Sequence, residues 1–593
     1  MKEFFKMFFA SLTAIIVSIM ILSFVFIGSI VALTMSAVKE SQVKVDNNSI
    51  LTISTSEIGG DQINGAAFEY MDFNTMEIKK PVSTLSALSA IKSAASDDNI
   101  KAIVIINDPM MMPLGMAQAQ EVRDALADFK KSGKKVYSYG KMYTNTDYYL
   151  ASVADKVILC PEGDFIWNGL TSQVPFFKNL LEKVGIEVTA IKHGKYKSAI
   201  EPFTLSGMSD ASREQNTALL NSVWGDILKE VSLSRGVSPE ELTSYANNLT
   251  ISSDSMAQRC SLVDTLLYND QFEAMLKESY GDNYKKVTLC SYAPSTGHKS
   301  TGKSKGSIAI IYAEGEIIDG ESGQGTVGDR NIRDLLAKAR KDDDIKAVVI
   351  RVNSPGGSAL AAELIAREVE LLQKEKPVIA SFGNMAASGG YYIATAADVI
   401  VASPTTITGS IGVFGLSINA EKTLKDKLGI DVETINTNTY SDLGMPFRAI
   451  NKTEEAFLQK KVDKIYTAFI TRVSKGRNLS MEKVDAIAGG RVWSGSDAMK
   501  VGLVDGMGGI DNAIAIAAER AGLGNNFELT TLTSEKSFFY ELLGTANVSY
   551  KWLTNKDLTK TFGNSMVSQF SHMTQAVNSN VPQAMMPYLI TIE

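Results

Sequence analysis

The chain has 593 residues, and its 59 Lys and Arg against 66 Asp and Glu leave a formal charge of −7. That balance excludes a nucleic-acid binder, which carries a basic excess. The 45% of apolar residues against 21% charged excludes a disordered chain. The three histidines (His193, His298, His572) and three cysteines (Cys160, Cys260, Cys290) lie far apart in sequence. No pair has the spacing of a zinc finger or a CxxC motif, so no metal site and no cofactor is expected.

Taken in chain order, the first feature is a run of 32 residues, 7–38, without a charge. About 20 such residues cross a bilayer core as a helix, whereas the apolar part of a cleaved signal peptide is only about 7–15 long. Met35-Ser36-Ala37 is also a poor cleavage site, with Met at the −3 position. An uncleaved N-terminal transmembrane helix is therefore expected. Lys2 and Lys6 precede the span, which points to a cytoplasmic N-terminus and a bulk of the chain on the other side. The scarce cysteines read as mostly buried small apolar residues.

An internal repeat organises the rest of the chain. The stretch from Ile100 (IKAIVIINDP) resembles that from Ile345, and that from Ser138 (SYGKMYTNTDYYLASVADKVIL) resembles that from Ser381. The stretch from Gly185 (GIEVTAIKHGKYKSAIEPF) resembles that from Gly429. The offsets are 245, 243 and 244 residues, so two tandem copies of one domain match in register. β-Branched runs such as KAVVIRV alternate with helical patterns such as NIRDLLAKAR, which predicts βα units around a mostly parallel sheet. Between the copies, Ser291–Ser307 is rich in Ser, Gly, Thr and Lys and reads as a linker. Gly297 to Ser304 there fits the Walker A pattern letter for letter. A phosphate loop needs a helix after it, and the following SIAIIYAEGEI reads as a strand, so the match is taken as chance.

The copies diverge most usefully at two positions. Ser388 in Ala-Ala-Ser-Gly-Gly aligns with Asn145, and Lys197 in Gly-Lys-Tyr-Lys aligns with Ser441. A serine hydroxyl needs a base, and a lysine serves if burial lowers its pKa. An ion pair from Glu201, four residues on, would spoil it. The loop Asn-Ser-Pro-Gly356-Gly357-Ser358 follows a predicted strand and opens a helix near Ala359. Its small residues suit backbone amides turned towards an oxyanion, and the amide of Gly389 could supply a second donor. The first copy has Asn-Asp-Pro-Met-Met-Met there, where bulk would crowd such a hole. His193 leaves a Ser-His-Asp triad open as a different mechanism.

GNMAASGGYYIATAAD, TITGSIG, NSPGGS and GKYKSAIEPF together resemble the signal peptide peptidase A (protease IV) family, long two-domain type. The resemblance covers both copies and the N-terminal span. It implies an α/β fold of tandem Clp protease/crotonase-like domains behind a transmembrane helix. The division is then 1–45 cytoplasmic stub and anchor, 46–290 first copy carrying the base, and 291–307 linker. The second copy, 308–535, carries the nucleophile, and 536–593 is a tail without a counterpart. The resemblance implies Ser388 as nucleophile, Lys197 as general base, Ser410 holding the lysine, and Gly357 and Gly389 as oxyanion donors. It implies a serine endopeptidase of the bacterial inner membrane, single-pass, with its catalytic domains outside the cytoplasm. Its partners would be remnant signal peptides and other unfolded apolar peptides, in a homotetramer. The competing readings are a crotonase-like acyl-CoA enzyme and a membrane-tethered, non-catalytic scaffold.

Overall fold

The computed structural model describes residues 18, 45–63, 70–72, 77–78, 80–107, 114–296, 304–323, 325–533 and 583–585. The expected anchor (but for residue 18), 297–303 of the Walker-like stretch and most of the expected tail lie outside them. Among the described residues no helix is long and apolar enough to cross a membrane.

The first copy is built on β1 (Ser49–Ser54), β2 (Ile100–Asn107), β3 (Lys135–Tyr143) and β4 (Lys156–Phe165). β5 (Glu187–His193) leaves this sheet, and β6 (Thr265–Leu266) and β7 (Lys285–Thr288) complete it. The order is β6-β4-β3-β2-β1-β7, with all pairings parallel. β2 is buried at nearly every position, as the unbroken β-branched run requires of a strand covered on both faces. The main helices are α1 (Thr84–Ser96), α2 (Met116–Lys130), α3 (Asn145–Ala151) and α4 (Asp210–Arg235). The expected linker begins later than its composition suggests. The chain stays helical through Ser295, and Tyr292 and Ala293 are buried in the core. Apolar side chains inside a Ser/Thr-rich stretch decided that.

In the second copy, β8 (Ser307–Glu314), the strand expected from SIAIIYAEGEI, is followed by β9 (Glu316–Ile318) and β10 (Thr326–Gly328). Next come α5 (Asp329–Lys341), β11 (Ile345–Ser354), β12 (Gly356–Ser358) and α6 (Ala359–Gln373). β13 (Val378–Ala387) runs into α7 (Gly389–Ala394), then β14 (Val399–Ala402), β15 (Ile407–Gly409) and β16 (Val413–Asn419). After α8 (Lys452–Arg477) come β17 (Val492–Ser494), β18 (Gly506–Met507), α9 (Ile510–Arg520) and β19 (Glu528–Thr531). The sheet order β17-β15-β13-β11-β8-β19, with β14 on β13 and β18 on β14, repeats the first sheet. β14 and β15 share the role of β4.

A third sheet joins the copies in the order β10-β9-β12-β20-β16-β5, where β20 is Gln583–Met585. β5 of the first copy pairs antiparallel with β16 of the second, from His193 opposite Val413 to Glu187 opposite Asn419. This pairing sets the position of the residues just after β5.

The copies also share one hydrophobic core, in which Leu51, Ile103 and Val136 pack with Ile310, Val349 and Ile510. Inside the joint, the wholly buried Arg351 bonds both carboxylate oxygens of Asp61 (2.9 and 3.1 Å) and one of Glu121 (2.7 Å). Asn384 of the second copy accepts from the amides of Ala117 and Gln118 (3.0 and 3.2 Å), capping α2 of the first. Breaking one partner of a buried ion pair costs about 3–5 kcal/mol, so this network holds the copies in one relative position. Cys160, Cys260 and Cys290 are free and only partly buried, less enclosed than expected. Burial and the neighbouring Glu57 push the Cys290 thiol up to about 12.

Candidate active site

β13 ends at Ala387 and α7 begins at Gly389, so Ser388 occupies the turn between strand and helix. Its backbone is forced to φ +53° and ψ −113°, a region L-residues rarely enter. Such a residue costs on the order of 1–3 kcal/mol unless its surroundings hold it. Here the Ser388 amide donates to the Gly409 carbonyl (2.8 Å), and its carbonyl accepts from Tyr392 (2.8 Å). The sharp turn projects the hydroxyl out of the sheet, the logic of a nucleophile on a strand–helix elbow.

Lys197 lies four residues beyond β5. Its Nζ stands 2.8 Å from Ser388 Oγ, 3.0 Å from Ser410 Oγ and 3.1 Å from the Ser410 carbonyl oxygen. Lys197, Ser388 and Ser410 are all wholly buried. Burial without a compensating carboxylate pushes the Lys197 amine well below the ordinary lysine range. Glu201 does not spoil this. Its carboxylate accepts from the Ser209 amide (3.1 Å) and hydroxyl (2.6 Å) instead.

Ser410 also sits at a positive φ, +51°, with its amide donating to the Arg491 carbonyl (2.7 Å). The oxyanion candidates flank this centre. Gly389 is the first residue of α7, where helix amides have no partner within the helix. Gly357, at φ +153°, lies in β12, on which α7 packs. A Cβ on Gly357 would stand 2.0 Å from the Ile317 carbonyl oxygen, so only glycine fits there. The loop expected to open a helix near Ala359 does so, with Ser358 capping the Ala361 amide (3.2 Å).

His193 takes no part in this cluster. Its Nδ1 pairs with Asp463 Oδ1 at 2.7 Å, and its ring stacks on Tyr466 at 3.9 Å between centroids. Among the described residues no group of three or more His, Cys, Asp or Glu could hold a metal ion.

Two supports of Lys197 escaped sequence reasoning. Gly489 and Gly490 of the second copy press against its backbone, with the Gly489 carbonyl accepting from the Tyr196 amide (2.9 Å). A Cβ on Gly490 would lie 2.5 Å from the Lys197 nitrogen. The buried Gln215 amide group donates to the Tyr196 carbonyl (2.9 Å) and Ser198 hydroxyl (2.8 Å) and accepts from the Val492 amide (3.2 Å). The Gly-Gly pair was a visible signal. Nothing in the sequence marks Gln215.

A buried lysine amine against a serine hydroxyl at a strained turn is the equipment of a hydrolase. Comparison with known proteins narrows the class to a serine peptidase. The family model described as peptidase family S49 matches residues 128–281 and 370–524, once in each copy. The "Protease 4" of Salmonella typhi is 36% identical over 484 residues, 78% of this chain and 75% of that one. The "Protease 4" of Haemophilus influenzae is 34% identical over 75% of this chain and 74% of its own. "Serine protease SPPA, chloroplastic" of Arabidopsis thaliana is 34% identical over 74% of this chain and 65% of its own. The chain belongs to peptidase family S49.

Proposed function

We propose that this serine peptidase is a membrane-anchored endopeptidase that cuts remnant signal peptides with a Ser388–Lys197 dyad. The observation that carries the reading is the 2.8 Å contact between Lys197 Nζ and Ser388 Oγ, with both residues wholly buried. Neutral Lys197 takes the Ser388 proton as Oγ bonds to the peptide carbonyl carbon. The oxyanion that forms is held by the amides of Gly357 and Gly389. Lys197 returns the proton to the leaving amine as the C–N bond breaks. It then takes a proton from the water that attacks the acyl-enzyme, and the released Ser388 oxygen regains one. Ser410, in contact with Nζ through hydroxyl and carbonyl, keeps the amine aimed.

The uncharged run at 7–38 supports the anchor on the bacterial inner membrane, with the two α/β copies, kin to Clp protease and crotonase folds, on its outer side. There the enzyme meets apolar peptides left in the bilayer. A peptide would bind extended, adding a strand beside β12 so that its carbonyl reaches the oxyanion amides. Assembly into a homotetramer is supported by the second-copy counterpart of β5. Residues 431–437 form no strand and expose Val432 and Ile435, the latter completely, with Ile430 exposed just before them. A second copy of the chain could cover that segment.

Cleavage of a fluorogenic signal-peptide-like substrate tests the dyad. Ser388→Ala and Lys197→Ala should each lose about 10⁴-fold or more in kcat. Undiminished turnover by either variant ends this mechanism.

A further inference from the structure

Backbone ties converge on the turn that carries Ser410. The Ser388 amide donates to the Gly409 carbonyl (2.8 Å), the Ser410 amide to the Arg491 carbonyl (2.7 Å), and the Gly490 amide to the Ile411 carbonyl (2.8 Å). Gly409 lies opposite Val492 in the antiparallel pairing of β15 with β17. Residues 490–492 therefore underlie both strained serines. The same three residues meet the other half of the site. Gly490 presses on the Lys197 backbone, and the Val492 amide donates to Gln215. Between them, Arg491 sends its side chain to Tyr196, the residue before Lys197.

The Arg491 guanidinium lies over the Tyr196 ring at 5.0 Å and over the Trp493 ring at 4.6 Å, within the range of a cation–π attraction. It donates to the Tyr196 hydroxyl (3.2 Å) and to Glu214 Oε1 (3.1 Å), while that hydroxyl donates to the same oxygen (2.9 Å). Glu214 is 53% exposed, so the ion pair adds little stability and does not account for the placement. Arg491 Nε is buried without a hydrogen-bond partner among the described residues, a loss that a surface arginine avoids by turning to solvent. What the placement secures is Tyr196. The Lys197 amide makes a long contact, 3.4 Å to the Gly194 carbonyl, so neighbouring residues fix its position. The reciprocal positions carry neither group. Ser-Leu-Val-Asp from Ser261 repeats as Gly-Leu-Val-Asp from Gly502, which sets Thr250 opposite Arg491, as Ser441 stands opposite Lys197. The arginine and the lysine are present together and missing together.

We propose that Arg491 is a positioning residue of the dyad: its carbonyl fixes Ser410, its guanidinium fixes Tyr196, and together they hold the Lys197 amine between two serines. The proposal rests on the reading of Lys197 as the base. Ser388 and Ser410, which face the amine, carry no charge, so burial alone governs its ionisation. Releasing the guanidinium frees the Tyr196 ring, lets the Lys197 backbone shift and admits water to the amine. Water stabilises the ammonium form, so less of the base is neutral at a given pH.

The test follows cleavage of the fluorogenic signal-peptide-like substrate from about pH 6 to about pH 10. The full chain is compared with its Arg491→Met, Arg491→Lys and Lys197→Ala variants. Methionine keeps the length without charge or fork, and lysine keeps the charge without the planar face. At neutral pH Arg491→Met should lose about tenfold in kcat with KM within about twofold, and its ionisation should move up by about one pH unit. The deficit should close as the pH rises above both ionisations. Arg491→Lys should shift in the same direction by less. Thermal unfolding followed by circular dichroism identifies a variant that fails to fold, and the other then carries the test. An unmoved ionisation, whether turnover is normal or uniformly reduced, overturns the proposal, as does a change confined to KM. Turnover retained by Lys197→Ala ends the dyad reading and this proposal with it. An inactive Lys197→Ala beside unmoved Arg491 profiles ends this proposal alone.

Discussion

The same strand–helix turn occurs in both copies of this molecule, and in only the second does it set a serine hydroxyl against a lysine amine. In the second copy Ser388 is held at φ +53° and touches Lys197, and Ser410 at φ +51° touches the same amine. In the first copy Asn145 is simply the first residue of α3, with Thr144 before it an ordinary extended N-cap at φ −85°. Asn145 donates to the Asn168 side chain (2.9 Å) and the Gly169 carbonyl (3.0 Å). Asparagine tolerates positive φ better than serine does, yet the strain sits on the serines. The fold therefore does not require the strain at this turn. It appears where the serine hydroxyls meet the Lys197 amine, and a neutral amide pair closes the other copy without it. The lysine position differs as well. β5 delivers Lys197 into the joint, whereas Ser441, its counterpart, is exposed, accepts from the Asn438 amide (3.1 Å) and shares a 3.4 Å hydroxyl contact with Thr437 Oγ1.

The strongest way to break this contrast is to move the hydroxyl. Asn145→Ser in a Ser388→Ala background should stay at the Ser388→Ala floor, about 10⁴-fold below wild type, because residue 145 faces the Asn168 side chain and the Gly169 carbonyl rather than the Lys197 amine. Recovery of peptide cleavage by that double variant would show that the first copy holds a second competent site. Next in size, Gly357→Pro removes one candidate oxyanion donor and should cost about 10²–10³ in kcat. Circular dichroism of the variant separates that loss from misfolding, since a side chain there also meets the Ile317 carbonyl.

The third prediction concerns pH. Burial lowers the Lys197 pKa, and the base must be neutral to act. Thus kcat/KM should rise with pH through an ionisation well below the ordinary 10.5 of lysine. Lys197→Arg, whose guanidinium keeps its charge, should be inactive across the whole profile. A profile that falls over the same range would contradict a lysine base. The smallest effect belongs to His193→Ala. The pair with Asp463 is partly exposed and worth about 0–1 kcal/mol, so turnover should stay within about twofold. A large loss there would reopen the triad that the sequence allowed.

The duplication, the alternation of strand and helix, and the pairing of Ser388 with Lys197 were legible from residue types because they repeat or fail to repeat in register. Divergence at 145 and 388, and at 197 and 441, singled out one residue from each copy. The supports were not legible, because they are distant in sequence and ordinary in composition. Gln215 bonding the residues on either side of Lys197, Arg351 gripping Asp61 and Glu121, and Asn384 capping α2 depend on which surfaces meet. The limits of the linker were misread for the same reason, since Tyr292 and Ala293 belong to a core that composition does not display.

By itself, the order of amino acids determined two copies of one α/β domain, the candidate residues Ser388 and Lys197, and the uncharged run at the N-terminus. Local propensity and periodicity suffice for these, since each is written in neighbouring residues. Only the tertiary structure decided that β5 crosses to pair with β16, and so that a lysine 191 residues before the serine stands 2.8 Å from it. Only it decided that this amine is wholly buried, which moves its pKa, and that Gln583–Met585 lies beside Gly357. Those outcomes come from long-range strand pairing and desolvation, energies that exist only once the two copies have packed.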